Sequence, residues 1–121
     1  MTVASKRFTD LRVWQESHGL SLDIYEFTKK FPLSERYMLV NQLRRAAVSV
    51  TSNIAEGFNR FSAKEKIHFY SISLGSVSEI HSQLMLARDL GYLAAEDYER
   101  AEQKIEIVHK ALAALIKSIR S

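Results

Sequence analysis

Cysteine does not occur in this 121-residue sequence, proline occurs once and glycine four times. Without thiols there is no disulfide framework, no thiolate metal site and no cysteine nucleophile. With so little proline and glycine, long helices can run without internal breaks. Long hydrophobic runs are missing too, since no stretch approaches the ~20 apolar residues of a membrane span. Met1 is followed by polar residues and not by the basic segment and apolar run of a secretory signal. The expectation is a cytoplasmic protein with no membrane association. A strong charge bias is also lacking: Lys plus Arg number 17 against 14 Asp plus Glu, a net +3. That balance permits an acidic partner without demanding one, and it lacks the concentrated basic stripe common in dedicated nucleic-acid binders. Nothing supplies a nucleophile elbow, a Walker loop or a dinucleotide fingerprint, so the sequence implies no cofactor and gives catalysis no positive support.

What is present is helical periodicity along the whole chain, in a composition that is 46% hydrophobic and 26% charged. The length fits one domain, residues 1–121. The spacing of Val13, Leu20, Ile24, Phe27 and Phe31, widened by Leu11, Trp14, Leu22 and Tyr25, predicts a first helix over about 10–31, capped by Thr9 or Asp10 and ended by Pro32. Ser34 is the expected cap of a second helix, about 34–59, with Glu35 in its first turn. Ser62-Ala63-Lys64-Glu65 reads as a capping box opening a third helix, about 63–90, that Gly91 terminates. In that helix Gly75 costs about 1 kcal/mol of propensity, a cost usually compensated by a close helix crossing. A fourth helix, about 95–120, carries Tyr98, Ala101, Ile105, Val108, Leu112, Leu115 and Ile119. Four such helices joined by short turns predict an all-α, antiparallel up-down-up-down four-helix bundle. Ala111, Ala113, Ala114 and Ile116 make the last helix apolar well beyond one seam, and the first helix is similarly broad. Self-association is the expected consequence.

The stretch Gln42–Arg60, QLRRAAVSVTSNIAEGFNR, stands out. Leu43, Ala46 or Ala47, Val50, Ile54 and Phe58 line one apolar side. Gln42, Arg45, Ser49, Ser52 with Asn53, Glu56 and Arg60 recur on another over about five turns. A plain solvent face would be served better by Lys, Glu or Ala than by Ser49, Ser52 and Asn53. Those short polar residues imply close contact with another subunit, a neighbouring helix or a ligand. Ser76, Glu79 and Gln83 form a comparable row on the third helix; facing the two rows would give Arg45 or Arg60 a carboxylate partner in Glu79. Glu56 and Arg60 also have the i,i+4 spacing of a surface ion pair.

The spacing argues against a carboxylate-bridged di-metal site. Glu65 with His68 and Glu106 with His109 are two Glu-x-x-His pairs of the type such bundles use. In helices turning near Tyr92 they are offset by about 13 residues, roughly 20 Å along the axis, and cannot share metals. His18 and His81 remain as single histidines expected at the surface or at a hydrogen-bonded boundary.

The run Phe31-Pro32, Glu35-Arg36, Leu39, Gln42 through Ala47, Ser49, Ser52 through Phe58 and Arg60 resembles the four-helix-bundle proteins encoded in intervening sequences of bacterial 23S rRNA genes. The Leu11-x-Val13-Trp14-Gln15 opening and Gly75-Ser76-x-x-Glu79 match as well. The resemblance is strong from about Phe8 to Leu93 and holds for the last helix by pattern. Thr51 stands where that family commonly has a proline, so the second helix should be more regular there. The resemblance implies a homopentamer of small bundles. It also implies kinship in architecture with the accessory protein of diversity-generating retroelements, which binds nucleic acid and a reverse transcriptase. No catalytic residues carry over. The expected function is a non-enzymatic homo-oligomeric scaffold whose partners are its own copies and RNA, another nucleic acid or a nucleic-acid-processing protein. The candidate contact residues are Arg44, Arg45, Asn53, Glu56 and Arg60, basic residues contacting phosphates. Two other readings stay open: a stripe that serves only bundle and oligomer packing, and a metal-dependent bundle enzyme.

Overall fold

The structure, a computed structural model, describes residues 6–120. The reading at Met1 lies outside them. Among the described residues all regular structure is helical, in four long helices: α1 (Arg12–Thr28), α2 (Leu39–Phe58), α3 (Ala63–Asp89) and α4 (Ala95–Arg120). Two short 3-10 turns, Phe8–Asp10 and Leu33–Glu35, precede α1 and α2. Each helix packs on the next in the chain, and α4 also packs on α1. Side-chain contacts join the end of α1 to the first turns of α2 (Thr28 with Arg44) and the end of α2 to the start of α3 (the Gly57 and Phe58 carbonyls with Lys66), and Lys104 of α4 pairs with Asp23 of α1.

One core fills the space between them. Leu20, Ile24, Leu43, Val50, Ile54, Val77, Ile80, Leu84, Val108 and Leu112 are fully buried. At ~1.5–3 kcal/mol for each large aliphatic side chain removed from water, this layer supplies most of the driving force for folding. Ala46 and Ala47 are both buried, which lets α2 sit close to its neighbours. Phe58 is half-buried, and Gly57 takes the buried place beside it.

The helix ends differ from the sequence expectation in informative ways. Asp10 caps the 3-10 turn instead of α1, its carboxylate accepting from the Lys6 and Arg7 amides at 3.2 and 3.1 Å. The first helix stops at Thr28, before Pro32, because residues 28–31 tighten into turns that bring Phe31 inward against Tyr92, 5.6 Å between rings. Ser34 does not cap α2. Glu35 instead accepts a 3.0 Å hydrogen bond from the Tyr92 hydroxyl, and a turn over residues 36–38 delays α2 to Leu39. The helix continues through Thr51 without a break.

Ser62 does cap α3, accepting from the Glu65 amide at 3.1 Å. The reciprocal half of the box is altered: the Glu65 carboxylate takes the Ser62 hydroxyl at 3.2 Å. Gly91, at φ 82°, ends α3 with bonds from the Gly91 amide to Arg88 O and from the Tyr92 amide to Ala87 O, the pair that defines a Schellman termination. Gly75 does not sit at a close crossing; a Cβ there would meet nothing within 4 Å. The tight crossing falls instead at Gly57, where a Cβ would lie 2.6 Å from the Tyr70 ring.

Candidate functional site

Successive residues on a helix point about 100° apart, and Arg44 and Arg45 therefore serve different places. Arg44 leans on α1. Its Nε donates to Thr28 Oγ1 at 3.0 Å, its Nη2 to the Tyr25 carbonyl at 3.4 Å, and its guanidinium lies 4.6 Å over the Tyr25 ring. Thr28 in turn donates to the Ile24 carbonyl at 2.7 Å, so it presents its oxygen to Arg44. Arg45 is exposed and, among the described residues, has neither a hydrogen bond nor a carboxylate partner. It stands between two recesses. One, of about 490 Å³, lies on the α1 side with Tyr25, Asn41, Arg44 and Ser52 in its walls. The other, of about 420 Å³, lies on the α3 side with Gln42, Ser76 and Glu79.

The rest of the polar stripe closes on α3. Ser76 Oγ donates to Ser49 Oγ at 2.8 Å, and the buried Ser73 hydroxyl donates to the Val50 carbonyl at 2.8 Å. Asn53 Nδ2 donates to the Ser49 carbonyl at 2.8 Å and to its hydroxyl at 3.2 Å. The facing of the two polar rows is thus present, but through hydroxyls. Glu79 shares a recess with Arg45 without an ion pair, and Arg60 takes Glu56 as its carboxylate at 2.9 Å while its guanidinium lies 4.8 Å over the Phe69 ring. Gln83 Oε1, on the same seam, is buried with no partner among the described residues.

The five candidate residues therefore separate. Arg44 and Arg45 border a common recess toward α1, whereas Asn53, Glu56 and Arg60 are engaged within α2 and with α3. Three residues outside the five candidates join the first group. Tyr25, counted as apolar surface of α1, is 39% exposed at the wall of the large recess. Lys29 and Arg36 line a smaller recess of about 180 Å³ together with Thr28 and Arg44. Arg36 lies within the family-like run, but nothing in its local spacing aims it at Arg44, because the turn that brings it there is set by Phe31 and Glu35.

Between α3 and α4, His81 Nε2 lies 3.1 Å from Glu102 Oε2, and the Tyr98 hydroxyl donates to the same carboxylate at 2.8 Å. The Tyr98 hydroxyl, then His81, hold the Glu102 carboxyl below its ordinary value. Burial, then the bond to Glu102, push the Tyr98 phenol up. The Arg88 guanidinium lies 4.4 Å over the Tyr98 ring and is itself paired with Asp89 at 2.9 Å. This cluster ties two helices together. Among the described residues no group of three or more His, Asp or Glu stands close enough to hold a metal ion, and no helix is long and apolar enough to cross a membrane.

The family model described as 23S rRNA-intervening sequence protein matches residues 9–114 of the chain. Among solved structures, a protein of unknown function from the S23 ribosomal protein family of Bacteroides thetaiotaomicron is similar, with 24% identity and a TM-score of 0.80. The match covers 87% of this chain and 95% of the other, and at that identity it shows a shared fold. No curated protein matches the chain.

Proposed function

The chain belongs to the 23S rRNA-intervening sequence protein family, and from that premise we propose that it is a non-catalytic helical scaffold that assembles with its own copies and binds RNA. In this reading it folds as an up-down-up-down bundle, works in the cytoplasm as a homopentamer, and uses the α1 side of α2 to contact phosphates. Arg45 carries the proposal. It is an exposed guanidinium with no carboxylate among the described residues, beside Arg44, whose charge is likewise unpaired. Guanidiniums left without a carboxylate keep their charge available for a phosphate, and their fork geometry suits its oxygens. Self-association is supported by apolar side chains that the bundle leaves outside: Leu33 and Tyr37 are each 80% exposed, with Met38, Leu86 and Leu90 at least half exposed near the same end.

The test is native mass measurement of the purified particle with its co-purifying nucleic acid recorded, followed by RNA titration across salt. A multimeric particle whose RNA affinity falls steeply and linearly on a log–log salt plot is expected, since single-strand binding releases about 0.7 counterion per phosphate neutralised. A monomer, or affinity indifferent to salt, sinks the corresponding half of the proposal. A second reading, in which the stripe only packs helices, is favoured for one part of it by the Ser49–Ser76 and Asn53–Ser49 bonds. Asn53, Glu56 and Arg60 are assigned to packing, and Arg44 and Arg45 to contact.

A further inference from the structure

Four described arginines, Arg12, Arg60, Arg88 and Arg100, have a carboxylate within salt-bridge distance. Arg7, Arg36, Arg44, Arg45 and Arg120 do not, and of these Arg36, Arg44 and Arg45 come together around two recesses that adjoin at Arg44. The smaller, about 180 Å³, has Arg36, Arg44 and Lys29 in its walls, with Phe31, Pro32 and Val40 as apolar backing. Lys29 is shared with Glu26 at 2.8 Å, which holds the Glu26 carboxyl below its ordinary value. The larger, about 490 Å³, is lined by Tyr25, Asn41, Ser52 and Arg45 as well as Arg44.

We infer that these recesses form one binding site for a nucleotide unit of single-stranded RNA, with its phosphate between Arg36 and Arg44 and its unstacked base in the larger recess against Tyr25. The inference rests on the RNA reading above and names the part of the strand that is held. The small recess matches a phosphate in charge and in scale. Arg44 is already fixed by Thr28, by the Tyr25 carbonyl and by the Tyr25 ring, so it loses little freedom on binding, and most of its five N–H donors remain available. Apolar walls lower the local dielectric and strengthen each charge contact. The stacked pair of Tyr25 ring and Arg44 guanidinium gives the larger recess a flat edge, which is how sequence-tolerant single-strand binders hold bases. An A-form duplex keeps its bases stacked inside and could offer this recess only backbone, which is why the site is assigned to a single strand. Asn41 and Ser52 add donors and acceptors for a base edge.

The test measures fluorescence anisotropy of a labelled ten-nucleotide RNA without secondary structure, titrated with full-length protein at several salt concentrations. Arg36→Glu should weaken binding at least about tenfold and lower the salt slope by about one. Tyr25→Leu should weaken it about five- to tenfold and leave the salt slope unchanged, the signature of lost stacking. Lys64→Glu, at the far end where α3 begins, should stay within about twofold of the unaltered protein. Circular dichroism and native mass confirm that each variant is folded and assembled. Unaltered protein that binds no RNA at low salt overturns the RNA reading and this site together. RNA binding that persists at full strength in Arg36→Glu and Tyr25→Leu overturns this site alone. Separate titrations with inorganic phosphate and with the matching duplex identify the source of the phosphate. Tight phosphate binding without single-strand binding, or a duplex bound as well as the single strand, also overturns it.

Discussion

The two flanks of α2 are built from the same short stretch of sequence and end in opposite electrostatic states. Toward α3, hydroxyls and an amide bond one another across and along the seam: Ser76 to Ser49, Ser73 to the Val50 carbonyl, Asn53 to Ser49. Toward α1, guanidiniums border open recesses and their charges meet no carboxylate. Short polar side chains let backbones approach and then consume their own hydrogen-bonding capacity in doing so. Long cationic side chains hold the recess walls apart and keep their charge for something else. The difference separates packing from recognition on a single helix, and each flank makes its own expectations.

The largest effect is expected on the closed flank. Gly57 lies against Tyr70, which is buried, and a Cβ would stand 2.6 Å from the ring edge. Gly57→Val adds three carbon atoms where the first has no room, and overpacking of this kind costs about 1–3 kcal/mol. Val gains little helix propensity over Gly, a few tenths of a kcal/mol, and does not compensate. Thermal unfolding should shift down by roughly 5–15 °C, while RNA affinity per folded molecule is unchanged. A melting temperature equal to that of the unaltered protein would mean that α2 and α3 can part without loss, and the closed flank would lose its meaning.

On the open flank the effects reverse. Arg45→Ala should weaken RNA binding about tenfold, or ~1.4 kcal/mol, and change stability by no more than about 0.5 kcal/mol, as an unpartnered surface residue does. Native mass of the variant decides between uses of that flank. A retained assembly keeps Arg45 in the contact class; dissociation to monomers moves it to the interface between copies.

Much of this architecture was legible beforehand, and the losses have physical causes. The apolar period located four helices to within a few residues at most ends, because core burial dominates and period is its direct imprint. Gly91 and Ser62 were readable because their chemistry is local. Ser34 misled because Glu35 bonds Tyr92, a partner 57 positions along the chain. The separation of Arg44 and Arg45 from Asn53, Glu56 and Arg60 could not be read from α2 alone. It depends on Thr28 and Tyr25 on one side and on Ser76 and Phe69 on the other. Tyr25 was placed with the apolar surface of its helix because period alone cannot tell an aromatic in the core from one at a rim.

A smaller effect tests the outer face of α3. Gly75 is exposed, and a Cβ there would meet nothing within 4 Å. In an isolated protomer Gly75→Ala should stabilise by about 0.8–1 kcal/mol, the ordinary propensity gain in a helix interior. Ile72, Met85 and Leu86 on the same helix are 39–51% exposed, so this face is partly apolar. Equilibrium unfolding at low and high protein concentration separates two cases. A gain at both concentrations means the face stays open; a gain that disappears as copies associate means another chain approaches the glycine closely.

The smallest effect is expected where the sequence alone placed a fifth contact residue. Arg60 is held by Glu56 at 2.9 Å, with both side chains about half exposed, and its guanidinium lies over Phe69. A pair of this kind contributes about 0.3–0.5 kcal/mol, and stacking over the half-buried Phe69 ring adds about 0.5 kcal/mol. Arg60→Ala should therefore lower stability by less than about 1 kcal/mol. It should reduce RNA affinity by no more than about threefold, the loss of one distant charge. The decisive quantity is the ratio to Arg45→Ala in the same titration. If the two arginines weaken RNA binding equally, the strand tracks the whole length of α2, the partition between its flanks does not govern recognition, and the Arg36–Arg44 recess is one contact among many. If Arg45 dominates, the guanidinium without a carboxylate carries the binding, and the one already paired serves the seam.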